Sequence, residues 1–501
     1  MTTPISQEAV NLVPAYAEIA LLIGASAILL IDMFLTKAQR SFTYALSLLL
    51  LVVLAGISYH DYAAGTTTYT FHGMFVSDPM ANLLKLFTYL TVGMTLVYSR
   101  QYAADRDMLS GNLGGEFYVL ALFAMMGQMV MISGSNLLSI YLGVELMSLS
   151  LYALVAIRRD NVRATEAAMK YFVLGALASG FLLYGMSMLY GATGTLDIGQ
   201  ISAAAASGTI NKTILIFGLV FLVAGLAFKL GAVPFHMWVP DVYDGSPTAV
   251  TLLLGGAPKI ATFAICIRLL VEGLMPMAFD WQQMLLVLAV MSLAIGNLTA
   301  IAQTNIKRML AYSTIAQIGF VLLGLLSGVA GTTDVTGRDA AYSASMYYVI
   351  TYVLTTVGTF GTLMLASRAG FDADNLADFK GLSKRNGWFA LVMTILLFSL
   401  AGVPPMMGFA AKFAVLNSVL ATGQLWLTIF AVMFSLIGAF YYLRVIKTMW
   451  FDEPVDTAPI VAPFDMKLVL SINGLAVVAL GIMPEGMLKA CMAAIKATLA
   501  T

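Results

Sequence analysis

Apolar runs, each close to the length of about 20 residues that a helix needs to cross a bilayer, recur from one end of the 501-residue chain to the other. Fourteen can be distinguished, over roughly 15–35, 42–59, 79–99, 116–133, 136–157, 167–190, 213–235, 246–271, 281–301, 308–328, 341–367, 388–422, 424–448 and 466–487. The run at 388–422 is too long for one straight span, so a break is expected inside it. Between the runs, the longest polar stretches, GRDAAYSA near residue 340 and FDADNLADFKGLSKRNG at 371–387, are too short to hold a core of their own. The pattern therefore predicts an all-α, polytopic membrane protein of about fourteen transmembrane helices, with residues 1–501 forming a single membrane domain.

A weak internal repeat subdivides that domain. Asn136 opens the fifth span and Asn305 precedes the tenth; Val233-Pro234 in the seventh matches Val403-Pro404 in the twelfth at almost the same separation; Tyr171-Phe172-Val173-Leu174 resembles Tyr347-Tyr348-Val349-Ile350. Helices four to eight then match nine to thirteen. Five is odd, so the second copy enters the membrane from the other side, and the expectation is two inverted five-helix repeats with broken helices, an arrangement that places a transport path at the repeats. The expected boundaries are 1–110 for three N-terminal helices, 111–272 and 273–450 for the repeats, and 451–501 for a C-terminal helix.

Composition agrees with a membrane as the solvent: hydrophobic residues are 60% of the chain, charged residues 10%, and the mean hydropathy is +0.89. Lys and Arg (26) balance Asp and Glu (26), which leaves no footprint for nucleic acid. The cations are unevenly placed. Lys37, Arg40, Arg100, Arg106, Arg158, Arg159, Arg163, Lys170, Lys307, Arg308, Arg368, Lys380, Lys384, Arg385, Arg444, Lys447 and Lys467 fall on one side of the alternating spans, against Lys212, Arg268, Arg338, Lys489 and Lys496 on the other. The richer side is expected to be cytoplasmic, which puts both termini outside, in the periplasm of a Gram-negative cell. The N-terminal stretch MTTPISQEAVNLVPAYAE has no basic region or small-residue cleavage site, so the first run reads as a retained helix. Cys266 and Cys491 lie in apolar runs without metal or disulfide spacing.

Four charges stand well inside the spans: Glu145 in SIYLGVELMSLSLYALV, Lys229 in VAGLAFKLGAVPF, Lys259 in LLLGGAPKIATFAICI and Lys412 in PPMMGFAAKFAVLNSVL. At about 2.5–3.5 kcal/mol each on insertion scales, four isolated charges would cost on the order of 10 kcal/mol, so they need a reason. Static ion pairs that fix helix packing are the plain alternative, and Lys85, close to Asp78 at the start of the third span, fits that reading. Three lysines facing one glutamate cannot all be neutralised in pairs. Burial favours a neutral amine and a nearby carboxylate favours the ammonium, so a lysine balanced between the two is a loadable proton site, and a file of such groups joined by water is a proton relay. Each lysine also sits beside Gly and Pro: Gly231 and Pro234, Gly255, Gly256 and Pro258, and Pro404, Pro405 and Gly408. Broken helices are tolerated at membrane depth where protein or water satisfies the freed backbone groups. His236, just past the break in the seventh span, could pass protons toward the cytoplasmic side or simply pack there. Asp241 and Asp244 read as helix-end carboxylates, and Lys307-Arg308 as anchors at the membrane surface.

Taken together, GVELMSLSLYALVA, TEAAMKYFVLGALASGFLLYGMSMLYG, FKLGAVPFHMWVPDVYDGSPTAVT, GAPKIATFAICIRLL, NIKRMLAYSTIAQIGFVLLGL and GLSKRNGWFALVMTILLFSLAGVPPMMGFAAKF resemble the antiporter-like membrane subunits of complex I, the NADH:quinone oxidoreductase, over roughly residues 75–450. The lysine of GAPK differs from the histidine-containing stretch usual in sister subunits and Mrp antiporters, and Lys412 stands where another sister has glutamate. The resemblance implies fourteen helices with two inverted five-helix units, each housing a half-channel. It implies Glu145 as the partner that modulates Lys229, Lys259 as the central connecting lysine, and Lys412 as the lysine of the second half-channel. It also implies proton movement coupled to quinone reduction elsewhere, in a bacterial inner membrane. No cofactor is expected in this chain; NADH, FMN, iron–sulfur clusters and quinone belong to other subunits. The implied partners are the other membrane subunits, neighbouring antiporter-like subunits among them, with lipid and protons. Two other readings stay open: a cation/proton antiporter subunit without redox input, and a structural subunit whose buried charges only fix packing.

Overall fold

A computed structural model describes residues 11–36, 39–106, 108–109, 115–329, 335–367, 370–454, 460 and 462–500. The first ten residues, Lys37 and Arg368 lie outside them. Three helices lead: α1 (Tyr16–Asp32), α2 (Ser41–Ala64) and α3 (Pro79–Asp105). The next group is α4 (Glu116–Ser133), α5 (Leu137–Val155), α6 (Val162–Thr193), a short α7 (Ile198–Ser207), α8 (Lys212–Leu230), α9 (Trp238–Gly245), α10 (Thr248–Gly255) and α11 (Ala257–Cys266), which continues as a π-helical turn over Ile267–Gly273. Then come α12 (Ala278–Ala302), α13 (Ile306–Ser327), α14 (Val335–Ala366), α15 (Leu382–Arg385), α16 (Gly387–Ala401), α17 (Met407–Ala421) and α18 (Leu425–Phe451). The chain finishes with α19 (Phe464–Ile482) and α20 (Glu485–Leu499).

Helices α10–α11, α13 and α14 form the buried centre, while α1, α2, α18 and α19 stand at the periphery with leucine, valine and phenylalanine turned outward, as lipid-facing helices do. Asn and Asp start many of the spans because their side chains satisfy backbone N–H groups that no preceding turn can reach: Asp78 caps α3, Asn136 α5, Asn161 α6, Asn211 α8, Asn305 α13 and Asn386 α16. Small residues set the closest helix crossings. A methyl added at Gly296 of α12 would stand 2.7 Å from the Ala316 nitrogen of α13, and one at Gly185 of α6 would stand 2.7 Å from the Leu222 nitrogen of α8.

Among the described residues thirteen helices are long and apolar enough to cross a membrane, and the two shorter apolar helices α16 and α17 together occupy the run expected as the twelfth span; α8, with α9 after it, falls in the seventh and α10 and α11 in the eighth. The broken helices are built alike. α8 ends at Gly231 (φ +83°), whose N–H reaches the carbonyls of Ala227 and Phe228 while Ala232 N–H returns to Ala227; α16 ends at Gly402 (φ +85°), whose N–H reaches Phe398 and Ser399 while Val403 N–H returns to Phe398. Glycine meets the positive φ of this helix ending without steric cost. Each stop is followed by a cis X–Pro bond, Val233–Pro234 and Pro404–Pro405. Gly231 is therefore the equivalent of Gly402, and Pro234 matches Pro405, the position after the Val403-Pro404 pair expected from sequence. As the seventh and twelfth of alternating spans, α8 and α16 are expected to run in opposite directions. Asn136 and Asn305 also correspond, since each caps its helix and each forms an isolated backbone bridge, to Asp197 and Asn375.

Three features escape the hydrophobic pattern. A two-stranded antiparallel hairpin, Thr68–Thr70 with Phe75–Ser77, precedes α3, and α7 and α20 are too short to span. α20 buries Cys491, Ala494, Ile495 and Thr498 against α3 and α14 and leaves Lys489 and Lys496 exposed. Nor does Lys85 pair with Asp78. Its ammonium lies 2.5 Å from Glu18 of α1, both buried. Asp78 instead caps α3 through Ala81 N–H and takes Arg268 at 2.7 Å; Arg268 also holds Glu272 at 2.7 Å. The guanidinium partner comes from the far end of the eighth span, which no local spacing reveals. Removing one partner of a buried ion pair costs about 3–5 kcal/mol. Asp78→Ala is therefore expected to lower the amount of intact subunit in the membrane sharply, as read by native gels and thermal melting of the purified complex.

Candidate functional site

At the break in the seventh span the last turn of α8 leaves carbonyls 229 and 230 without helical partners, and a lysine supplies the missing donors. Lys259, in the first turn of α11, reaches the carbonyl oxygens of Lys229 at 3.2 Å and Leu230 at 2.8 Å, with its ammonium 5.3 Å from the centre of the Trp238 ring. The twelfth span repeats the device. Lys412 of α17 reaches the carbonyl oxygens of Leu400 at 3.0 Å and Ala401 at 2.9 Å, adds the Ser435 hydroxyl of α18 at 2.8 Å, and lies 5.1 Å from the centre of the Phe320 ring. Each ammonium thus sits at the negative end of a half-helix, which stabilises the charge electrostatically. The relation is one of function rather than sequence register, since the capping lysine comes from the eighth span in one case and the twelfth in the other.

Lys229 lies one residue before the end of α8. Its Nζ is 2.8 Å from Ser148 Oγ of α5 and 3.4 Å from Ser179 Oγ of α6. Lys229, Lys259 and Lys412 are 8%, 1% and 8% exposed. Among the described residues all their hydrogen bonds go to serine hydroxyls and backbone carbonyls, and none goes to a carboxylate. Glu145, expected beside Lys229, stands one turn before Ser148 on α5, and its Oε1 is buried without a hydrogen-bond partner. It shares a helix face with the outward-turned Leu142 and Leu149. No ion pair or hydrogen bond joins these two side chains, and Ser148, which bonds the lysine, is the next turn of α5 after the glutamate. His236 lies inside the break rather than past it: α9 starts at Trp238, and the half-buried imidazole has an Nδ1 without a partner.

Beside the second capped break lies a set of polar side chains that charge counting missed. Gln317 of α13 donates to the Leu400 carbonyl at 2.9 Å and to the Tyr442 hydroxyl at 3.1 Å, accepts from Tyr348, and has Thr314 one turn before it, which accepts from Tyr352 at 2.8 Å. Tyr442 also bonds Ser313. A cavity with room for a water-sized molecule is lined by Gln317, Tyr348, Tyr352, Thr355, Ser399 and Leu400. The signal for these residues was weak but present, since glutamine, serine and threonine recur inside apolar runs at three- and four-residue spacing.

Asp241 and Asp244 of α9 do more than end a helix. Asp241 accepts from Lys170 at 3.0 Å and Arg308 at 2.9 Å, Asp244 accepts from Arg163 at 3.1 Å and Asn305 at 2.8 Å, and Lys307 is buried against Asp374 and the Ser246 carbonyl. Lys307 and Arg308, expected as surface anchors, instead tie the half-helix α9 to α13.

The family described as "NADH:quinone oxidoreductase/Mrp antiporter, TM" matches residues 134–438, the segment that holds both breaks and all three lysines. A NADH-quinone oxidoreductase subunit N from Herminiimonas arsenicoxydans is 66% identical over 98% of this chain and 99% of its own length, and one from Cupriavidus taiwanensis is 56% identical over 98% and 99%. The chain belongs to the subunit N family of NADH-quinone oxidoreductase. A chain of respiratory complex I from Thermus thermophilus superposes on this one with a TM-score of 0.80 at 29% identity, covering 95% of this chain and 100% of the other. A chain of the Mrp complex from Dietzia sp. shares the fold, with a TM-score of 0.82 at 21% identity over 97% and 96%. Membership of the subunit N family fits the lysine of GAPK, the residue that set this chain apart from its sisters. Among the described residues no cluster of metal-ligating side chains occurs.

Proposed function

We propose that this chain carries protons for NADH:quinone oxidoreductase through a relay of Glu145, Lys229, Lys259 and Lys412, with His236 as a side group in the first break. The observation that carries the reading is the pair of capped helix breaks. A lysine at each break bonds backbone carbonyls of a broken helix, and a cluster of polar side chains adjoins the second break. A static packing role would favour a carboxylate partner for each ammonium, because an unpaired charge at this depth is expensive. Lysine without a fixed counter-ion can change protonation state when charge moves nearby. In this reading charge movement at Glu145 reaches Lys229 through Ser148, and Lys259 links the first break to the second. The two five-helix units, 111–272 and 273–450, are the half-channels. Redox chemistry lies in other subunits, which hold the nicotinamide, flavin, iron–sulfur and quinone groups. The arginine-rich end faces the cytoplasm, the termini the periplasm, and the membrane is the bacterial inner membrane.

The direct test is Lys412→Ala in the whole complex, purified and reconstituted into liposomes, with NADH-driven acidification of the lumen recorded beside quinone reduction. Pumping is expected to fall by on the order of tenfold or more, the scale of a lost proton-transfer group. Wild-type pumping by an assembled Lys412→Ala complex would sink the relay.

A further inference from the structure

The partners of the three lysines differ in chemical kind, and the difference has a consequence for which atom a proton leaves by. An ammonium has three N–H donors and no acceptor; a neutral amine has two N–H donors and one lone pair. A backbone carbonyl can only accept, whereas a serine hydroxyl can either accept or donate. Lys412 has three partners: two carbonyls, Leu400 and Ala401, and one hydroxyl, Ser435. In the charged state all three N–H groups are used. In the neutral state the two remaining N–H groups stay on the carbonyls, because a carbonyl oxygen has no proton to offer to a lone pair. The lone pair then faces Ser435, whose hydroxyl has to donate.

Building on the relay reading above, we propose that Ser435 is the group through which Lys412 exchanges its proton, while the Leu400 and Ala401 carbonyls hold the side chain in place in both states. The step balances simply. The Nζ–H bond facing Ser435 breaks and its proton forms a new O–H on Ser435 Oγ; the original hydroxyl proton of Ser435 passes to a water molecule; the new hydroxyl then donates back to the lysine lone pair. Position supports the assignment. Ser435 is half-buried on α18, whereas Leu400 and Ala401 are buried, so it is the most exposed of the three residues that bond Lys412. The Leu400 carbonyl, by contrast, is already shared with Gln317. Lys229 has the same kind of partner in Ser148 and Ser179, whereas Lys259 has carbonyls and the face of Trp238. The serine contact therefore marks the lysines at the two ends of the file.

Threonine and valine have the same shape and differ in one hydroxyl, which isolates the atom at issue. The reconstituted complex carrying Ser435→Val is expected to pump on the order of tenfold more slowly or worse, and Ser435→Thr to keep most of the wild-type rate, with quinone reduction and native-gel assembly measured beside each. Equal pumping by the two variants, whether high or low, overturns the role of the hydroxyl. Ser435→Ala, which removes the hydroxyl without adding bulk, is expected to follow Ser435→Val; if it pumps like wild type the proposal also fails. The underlying relay is judged separately by Lys412→Ala. A slow Lys412→Ala with a fast Ser435→Val removes the serine step alone, and a fast Lys412→Ala removes both.

Discussion

Lys229→Ala is expected to leave the complex assembled while NADH-driven quinone reduction and proton pumping in inverted membrane vesicles fall together, by on the order of tenfold or more. The expectation of intact assembly comes from what the side chain touches. Among the described residues Lys229 Nζ bonds only Ser148 and Ser179, and Ser148 also donates to the Val144 carbonyl of its own helix at 2.7 Å, so α5 keeps its hydrogen bonds when the lysine is gone. The backbone carbonyl of residue 229, which Lys259 caps, is retained by alanine. What disappears is the buried amine that bonds the turn of α5 after Glu145. If the chain is a redox-coupled relay, oxidation of NADH stalls with the pump; if pumping and oxidation both persist, the lysine is a packing residue and the first half-channel lies elsewhere. A complex that fails to assemble would be followed by Lys229→Met, which keeps the stem in its apolar surroundings and removes the charge.

The span count and the presence of breaks were legible in the sequence because both rest on local rules: run length against bilayer thickness, and Gly or Pro inside a run. Lys229, Lys259 and Lys412 stood out for the same reason, as charges where charge is expensive. What the sequence could not supply was partnership. Lys85 took Glu18 instead of the nearby Asp78, and Asp78 took Arg268, because these pairs are chosen by helix packing between distant segments. Lys259 found its acceptors at the end of α8, on the preceding span, and these are backbone atoms that a list of polar residues never contains. The shift in register that matches Pro234 to Pro405 rather than Pro404 has a similar origin. A Val-Pro pair matches by identity, whereas the structure aligns the glycines that end the helices, since only they fix where each carbonyl pair is left open. Lys307 and Arg308 read as anchors because their position at a helix start is what anchoring needs; that they reach Asp374 and Asp241 depends on α9 lying beside α13.

Lys259→Arg separates the two things Lys259 can do, and it is expected to assemble like wild type yet pump on the order of tenfold more slowly or worse. Arginine brings more donors than lysine and remains charged under all conditions of the assay. Its planar fork can serve the carbonyls of Lys229 and Leu230, and its flat face suits the Trp238 ring beneath the native ammonium. The helix cap and the positive charge therefore survive the substitution, and what is lost is the capacity to release a proton. Lys259→Met is the companion, since it leaves both carbonyls orphaned at a cost of about 1–3 kcal/mol each, and it is expected to reduce the amount of assembled complex on native gels as well as its activity. An Arg variant that assembles but does not pump places Lys259 on the proton path. An Arg variant that pumps at the wild-type rate makes Lys259 a fixed cap, and protons must then pass from Lys229 toward Gln317 and Lys412 without using its amine.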